Sequence, residues 1–303
     1  MNKLDLTVIV LSYNTKDITD QCLTKLKAAT LFCQKKINNK INVIVVDNAS
    51  ADDSWQMLKA KHSWTKLIKS EVNTGFSGGN NLAMKDSLTP FILLLNSDAY
   101  VKEDTLFDSL QFFDDNPDCD VLGCRLLFAN NRFQPSAGFL PTPTNTWLWI
   151  SGLSLLPGLD QHPYHPRNPN FFSKVRPVEW VMGAFMMLKK EVYQKTQGFD
   201  ESIFMYGEEI EWCKRIKDLG FKTYYVPEFQ ITHLDKASSN FMIEKPLLNE
   251  FKGIARYFNK HYKSQYPQVK LVIQLSLILR VIIFTLLINS QRRRAYFEAL
   301  KVL

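Results

Sequence analysis

The chain has 303 residues, enough to bury a substantial core as one large domain with an appendage or as two small domains. Its 37 Lys and Arg against 30 Asp and Glu leave a formal charge of +7, which suits polyanionic partners: a phosphorylated substrate, an anionic lipid surface or nucleic acid. The five cysteines, Cys22, Cys33, Cys119, Cys124 and Cys213, form no Cys-x-x-Cys pair and no regular framework, which excludes a zinc ribbon or a disulfide scaffold and fits a reducing cytosol.

The N-terminus runs almost directly into an apolar strand at residues 6–11. It shows none of the basic region, long apolar stretch or small-residue cleavage site of a signal peptide, so the folded part of the chain is expected inside the cell. Further strands are predicted at 42–46 and 91–95, and helices at 17–29, 52–60 and 103–113. That alternation predicts a parallel sheet covered by helices, in which a ligand sits beyond the carboxyl ends of the strands. The residues just past those ends are Ser12, Tyr13 and Asn14, then Asp47 and Asn48, then Asn96, Ser97 and Asp98. From 139 to 177, prolines and aromatics including Trp147, Trp149, Tyr164 and Phe171 follow no period, as in an irregular insertion or lid on the substrate side. A strand at 180–188, a Gly-Phe-Asp-Glu turn at 198–201 and a helix from Glu208 to Leu219 closed by Gly220 come next. Beyond His233 the pattern is helical, basic and increasingly apolar, so a domain of residues 1–243 and a helical tail of 244–303 are expected.

Several of these residues have two readings. Asn96-Ser97-Asp98 either caps a helix or sets a carboxylate where magnesium or manganese bridges it to a diphosphate. Asp47 is either an N-cap or an acceptor for a base N–H or ribose hydroxyl. The run Asn73-Thr-Gly-Phe-Ser-Gly-Gly-Asn-Asn81 is either a plain glycine loop or a place where backbone meets a ligand closely, and it is neither a Walker loop nor a dinucleotide turn. Glu208 and Glu209 are ordinary partners of a helix N-terminus or include a general base. His233 is structural or a metal ligand through a neutral ring nitrogen.

Taken in order, eight motifs resemble glycosyltransferase family 2, in particular its bacterial rhamnosyltransferase-like branch. They are Thr7-Val-Ile-Val-Leu-Ser-Tyr-Asn14, Val45-Val-Asp-Asn-Ala-Ser50, Asn73-x-Gly-Phe-x-Gly-Gly-Asn-Asn81, Leu95-Asn-Ser-Asp98, Trp180-Val-Met-Gly-Ala-Phe185, Gly198-Phe-Asp-Glu201, Phe204-Met-Tyr-Gly-Glu-Glu209 and Thr232-His233. The resemblance implies an α/β, A-type glycosyltransferase fold with a Rossmann-like nucleotide-binding sheet, a nucleotide-diphosphate sugar donor and inversion at the anomeric carbon. It implies that Asp47 contacts the nucleoside with Ser12, Asn14, Gly75 and Asn80 nearby, and that Asp98 and His233 hold a divalent cation, Mg2+ or Mn2+. Asn96 stands where the family has the first aspartate of its D-x-D element. Glu209, or its neighbour Glu208, falls at the catalytic base, with Trp180 and Met182 on the acceptor side. The branch suggests deoxythymidine-diphosphate rhamnose as donor, with uridine-diphosphate hexoses as the alternative, and a glycan or lipid-linked acceptor. Competing readings are a non-catalytic binding homologue and a sugar-phosphate nucleotidylyltransferase, although Ser12-Tyr13-Asn14 replaces the glycine-rich basic loop of the latter.

In the tail, residues 269–290 are apolar enough to suggest a transmembrane helix, but Arg280 lies at the middle. Leu271, Leu275, Leu279, Ile282 and Leu286 share one stripe, while Lys270, Gln274, Ser276, Arg280 and Thr285 fall outside it. That segregation predicts a helix lying in the membrane interface at the inner face of the cell membrane, with Arg292, Arg293 and Arg294 toward anionic headgroups. The alternative is a helix packed on protein. Basic residues concentrated in the tail instead of along an aromatic-bearing groove argue against nucleic acid.

Overall fold

The computed structural model describes residues 4–151, 166, 168–235 and 244–301. The first half runs β1 (Leu6–Ser12), α1 (Lys16–Ile37), β2 (Ile41–Asp47), α2 (Ser54–Lys61), β3 (Lys66–Lys69), α3 (Gly75–Lys85), β4 (Phe91–Asn96), β5 (Ala99–Tyr100), α4 (Thr105–Asp115), β6 (Val121–Leu127), β7 (Phe133–Gln134) and β8 (Ala137–Gly138). There follow α5 (Pro143–Ile150), β9 (Arg176–Val178), β10 (Trp180–Val181), β11 (Phe185–Lys189), α6 (Lys190–Thr196), α7 (Glu208–Asp218) and β12 (Thr223–His233), then the tail helices α8 (Glu244–His261), α9 (Tyr266–Leu286) and α10 (Ser290–Lys301).

The main sheet has the order β3-β2-β1-β4-β11-β6-β12-β5. The expected parallel pairing holds from β3 through β4. Beyond β4 the sheet is mixed, because β11 runs antiparallel to both β4 and β6 while β12 returns parallel to β6. In β1, Leu6, Val8 and Val10 point to one core and Ile9 and Leu11 to the other, the two-sided burial expected of an interior strand. One core lies under α1, α2 and α4. The opposite one takes in Trp212 and Ile216 of α7, Phe251, Ile254, Tyr257 and Phe258 of α8, and Ile273 and Leu277 of α9.

Three elements depart from expectation. The first helix continues eight residues beyond position 29, because Thr30 and Cys33 are still buried and the helix ends only at Asn38 in the left-handed region, φ 50°. The glycine run at 73–81 is a loop only as far as Thr74, after which Gly75 opens α3. The strand predicted over 180–188 is broken between β10 and β11. A Cβ on Gly183 would stand 2.8 Å from the Phe76 ring and 3.2 Å from a Glu209 carboxyl oxygen, so the chain passes there without a side chain.

The 139–177 segment contains α5, opened by a reciprocal cap between Thr142 and Asn145 with Pro143 in the first turn, and a 3-10 turn at Pro169–Phe172. Tyr164 lies outside the described residues. The expected boundary at 243/244 falls just before α8, and α8 packs into the same hydrophobic core as the sheet and α7. Arg215 ties α7 to the chain before it through the Thr196 and Gly198 carbonyls.

Candidate active site

A cleft of about 470 Å³ opens at the carboxyl ends of β1, β2 and β4. Its donor half is built by short loops. Asn48, one residue past β2, donates from its side-chain amide to the Asn73 side chain and the Gly75 carbonyl, both at 3.0 Å, and accepts from the Thr74 backbone and hydroxyl at 3.1 Å. That one amide shapes the turn leading into α3. Gly75 has φ 71°, and a Cβ there would stand 2.2 Å from the Phe204 carbonyl oxygen, so both the backbone angle and the close approach require glycine. The Phe76 N–H donates to that same carbonyl at 2.9 Å.

Asp47 ends β2 fully buried, and neither carboxyl oxygen has a hydrogen-bond partner. A buried carboxylate without donors is costly; Asp47 is itself outside the cleft lining and lies one residue before Asn48, which is part of it. Ser12, Asn14 and Asn80 do not reach the cleft. The Ser12 hydroxyl is buried against Thr19 at 3.0 Å, Asn14 accepts from the Ala51 N–H at 2.7 Å, and Asn80 donates back to the Phe76 carbonyl at 2.9 Å within α3. Each shapes a loop or helix around the donor half; Asn80 is turned inward because its position falls on the buried face of a helix.

At the centre, Asp98 and His233 meet with 3.2 Å between a carboxyl oxygen and Nε2. β5 pairs His233 with Ala99, so the sheet itself sets this approach. Nδ1 of His233 lies 3.1 Å from the Gln134 side-chain oxygen, an acceptor, so Nδ1 is turned to donate there and Nε2 is the nitrogen that faces Asp98. Asn96 completes the cluster, its amide nitrogen 3.4 Å from Nε2. A carboxylate and a ring nitrogen held this close can share a cation between them. Among the described residues no three His, Cys, Asp or Glu side chains converge as a metal site. Two protein ligands with open positions nevertheless suit a hard cation completed by phosphate oxygens and water, so the residues fit a divalent ion.

The helix α7 is aimed by two left-handed residues, Tyr206 at φ 72° and Gly207 at φ 98°, and opens with Glu208 and Glu209. Glu209 accepts from the Gly183 N–H at 3.2 Å, the donor exposed by the break between β10 and β11. Burial raises both carboxyls, Glu208 well above the ordinary range with the Glu209 charge adding to it, while the Gly183 N–H and His233 hold Glu209 partly back. A raised carboxyl beside a cleft is a fitting proton acceptor. Trp180 and Met182 line the opposite wall, Trp180 largely buried.

Sequence reasoning missed Gln134, Gly183 and the contribution of α8. Glu250, Gly253, Ile254 and Tyr257 of α8 line the cleft, and the Tyr257 hydroxyl donates to the Pro141 carbonyl at 3.0 Å. The lone glycine in an otherwise helical run was the only signal.

A family model for glycosyl transferase family 2 matches residues 7–210. The low-salt glycan biosynthesis hexosyltransferase of Haloferax volcanii is 27% identical over 217 residues, a match covering 70% of this chain and 62% of that protein. The N-acetylglucosaminyl-diphospho-decaprenol L-rhamnosyltransferase of Mycobacterium tuberculosis is 22% identical over 280 residues, covering 86% of this chain and 82% of the relative. Among solved structures, the mannosyltransferase of Pyrobaculum calidifontis in complex with GDP-Man and Mn2+ superposes with a TM-score of 0.57 at 14% identity, covering 98% of this chain and 86% of the other. That likeness shows a shared A-type glycosyltransferase fold.

Proposed function

The chain belongs to glycosyl transferase family 2, and we propose that it is an inverting glycosyltransferase that moves a sugar, with rhamnose the first candidate, from a nucleoside diphosphate to a hydroxyl of a lipid-linked or cell-surface glycan. One observation carries this reading. The described lining of the cleft holds five acidic side chains, Asp98, Asp235 and the three glutamates Glu208, Glu209 and Glu250 whose carboxyls burial raises, and no Lys or Arg. A diphosphate oxygen about 4 Å from one such carboxylate is repelled by roughly 4 kcal/mol at a surface-like dielectric. An anionic donor therefore enters this cleft together with a cation, and Asp98 with His233 is the pair that fits it.

In this reading Asp47 accepts from the nucleoside, and the turn at Asn73–Gly75 braces the donor against the Phe204 backbone. Asp98 and His233 hold Mg2+ or Mn2+, which when bound neutralises the departing diphosphate. Glu209, fixed by the Gly183 N–H, takes the proton from the acceptor hydroxyl as that oxygen displaces the diphosphate. Glu208 is buried beside it, its own carboxyl raised well above the ordinary range by burial and by the Glu209 charge. Direct displacement needs no covalent nucleophile and inverts the anomeric centre. Trp180, Met182 and the α8 residues form the acceptor wall. The rhamnosyltransferase relative, whose name specifies a diphospho-decaprenol acceptor, supports the lipid-linked class.

The outer face of α9 supports a place at the membrane surface. This helix is long and apolar enough to cross a membrane by length and composition, with mean hydropathy 2.2. Its inner residues Val269, Ile273, Ser276 and Leu277 are buried on protein, while Leu271, Leu275, Leu279, Ile282 and Leu286 are exposed. α10 packs along it, Phe284 stacking on Tyr296 at 5.5 Å, and carries exposed Arg292, Arg293 and Arg294. Crossing the bilayer would carry α10 and those arginines with it, at about 2.5–3.5 kcal/mol each. Lying in the interface immerses the stripe and leaves the arginines with the headgroups.

The test is transfer from deoxythymidine-diphosphate rhamnose and uridine-diphosphate hexoses, with the product anomer read by NMR. Inversion is expected; retention, or intact donors with every acceptor, would overturn the proposal.

A further inference from the structure

Outside the cleft, a second, strongly apolar groove of about 200 Å³ runs between α5 and α9. One wall is Pro143, Thr146, Trp147 and Ile150; the other is Gln265, Gln268, Val269 and Val272. Ser276 clamps the two helices at the far end, its hydroxyl donating to the Ile150 carbonyl at 3.0 Å. Two relationships give the groove a direction. On α9, positions 265, 268 and 272 continue in steps of three and four residues to Leu275, Leu279, Ile282 and Leu286, so its floor and the exposed apolar stripe are one row on one face. On the other wall, Pro141 lines the catalytic cleft and Pro143 lines the groove, at most about 7 Å apart along the chain. The groove thus lies beside the Trp180 and Met182 side of the cleft at one end and continues into the exposed apolar stripe of α9 at the other. Trp147, half exposed at its wall, is a residue type that settles at the boundary between headgroups and hydrocarbon.

We infer that this groove holds the first isoprene units of a polyprenyl-linked acceptor, drawing them from the bilayer along α9 while the sugar to be extended lies in the cleft. The inference rests on the lipid-linked acceptor proposed above. A branched, unsaturated chain matches a short groove with almost no polar surface, and neighbouring Arg292, Arg293 and Arg294 hold the protein against the anionic membrane from which such a lipid is withdrawn.

The experiment is photo-crosslinking of the full-length protein on anionic vesicles containing a prenyl phosphate that carries a diazirine in its first isoprene units, with adducts mapped by mass spectrometry. Adducts on residues 143–150 and 265–272 are expected, and Val272→Trp, which fills the groove, should abolish them while leaving vesicle binding and nucleotide binding intact. Gln268→Trp, at an exposed position on the same wall, serves where Val272→Trp fails to fold. Adducts confined to residues 275–288, or unchanged in both variants, would mean simple immersion of α9 and overturn the groove. Equal labelling by a straight-chain acyl diazirine would overturn the isoprenoid assignment. Transfer to a lipid-linked acceptor with adducts elsewhere removes this inference alone, whereas transfer only to water-soluble glycans removes the acceptor reading with it.

Discussion

Gly253 of α8 lies directly against Tyr206: a Cβ at position 253 would stand 2.3 Å from the Tyr206 carbonyl oxygen and 3.5 Å from the Gly207 Cα. The segment carrying Glu208 and Glu209 is therefore held between two glycines, Gly75 on the donor side and Gly253 on the tail side. Gly253→Val must push this loop or α8 outward, because the opposing atom is backbone and cannot rotate away. The expected result is a loss of stability of about 1–3 kcal/mol, as for overpacked sites, with a fall in kcat larger than any change in donor affinity. Thermal unfolding and steady-state kinetics check it; unchanged kcat would show that α8 does not position the glutamates.

Gln134 presents its side-chain oxygen to Nδ1 of His233 at 3.1 Å. Gln134→Leu removes the acceptor at Nδ1 and frees the ring to present its other tautomer, which should weaken Mn2+ binding about 10–100-fold. Gln134→Glu should restore much of it. Calorimetry with Mn2+ and a nucleoside diphosphate measures the affinity, and 15N shifts of the His233 ring report the tautomer independently. A ring that keeps its tautomer in Gln134→Leu would remove this role.

The two glutamates separate the base from its neighbour. Glu209→Gln should keep donor binding and lower turnover by roughly 10²-fold or more, whereas Glu208→Gln should cost much less. Because burial raises the Glu209 carboxyl, transfer should climb with pH along a limb centred above the range of an exposed carboxylate. The reverse ranking of the two variants would move the base to Glu208.

Glu211 predicts acid behaviour. It is fully buried between α7 and α8, 2.8 Å from Arg215, 2.9 Å from Lys260 and 3.0 Å from His261. Burial opposes its ionisation, but the bonds from His261, Arg215 and Lys260 prevail and hold it down at about 2, against an ordinary 4.5. A depressed folded value means stability that is present above 4.5 and lost as pH falls toward 2. Glu211→Gln should lower the melting temperature at neutral pH, and the gap from the unmodified protein should narrow across that window. A constant gap from pH 7 to pH 3 would contradict the assignment.

The donor half of the site was legible because its residues sit at strand ends, where the period of the apolar runs locates them. Asp98, just past β4, and Asn48, just past β2, line the cleft for that reason. Asn80 was not legible: the asparagine-rich run reads as loop, and only the contact of Gly75 with Phe204 shows that a helix begins there and turns Asn80 inward. Gln134 and Gly253 were beyond reach for a different reason. They act through partners 99 and 47 residues away, at His233 and Tyr206, and pairings of that range are set by packing, which local pattern does not encode. The break at Gly183 is an intermediate case, a strand pattern interrupted because a ring and a carboxylate occupy the space of a Cβ.

The most direct test of the central claim, that an anionic donor enters an acidic cleft only with a cation on Asp98 and His233, is titration calorimetry of deoxythymidine diphosphate and uridine diphosphate into the protein with Mn2+ and with chelator. Binding should be clear with Mn2+, lost in chelator, and lost in Asp98→Asn with or without the metal. Equal affinity in chelator and in Mn2+ would contradict the account.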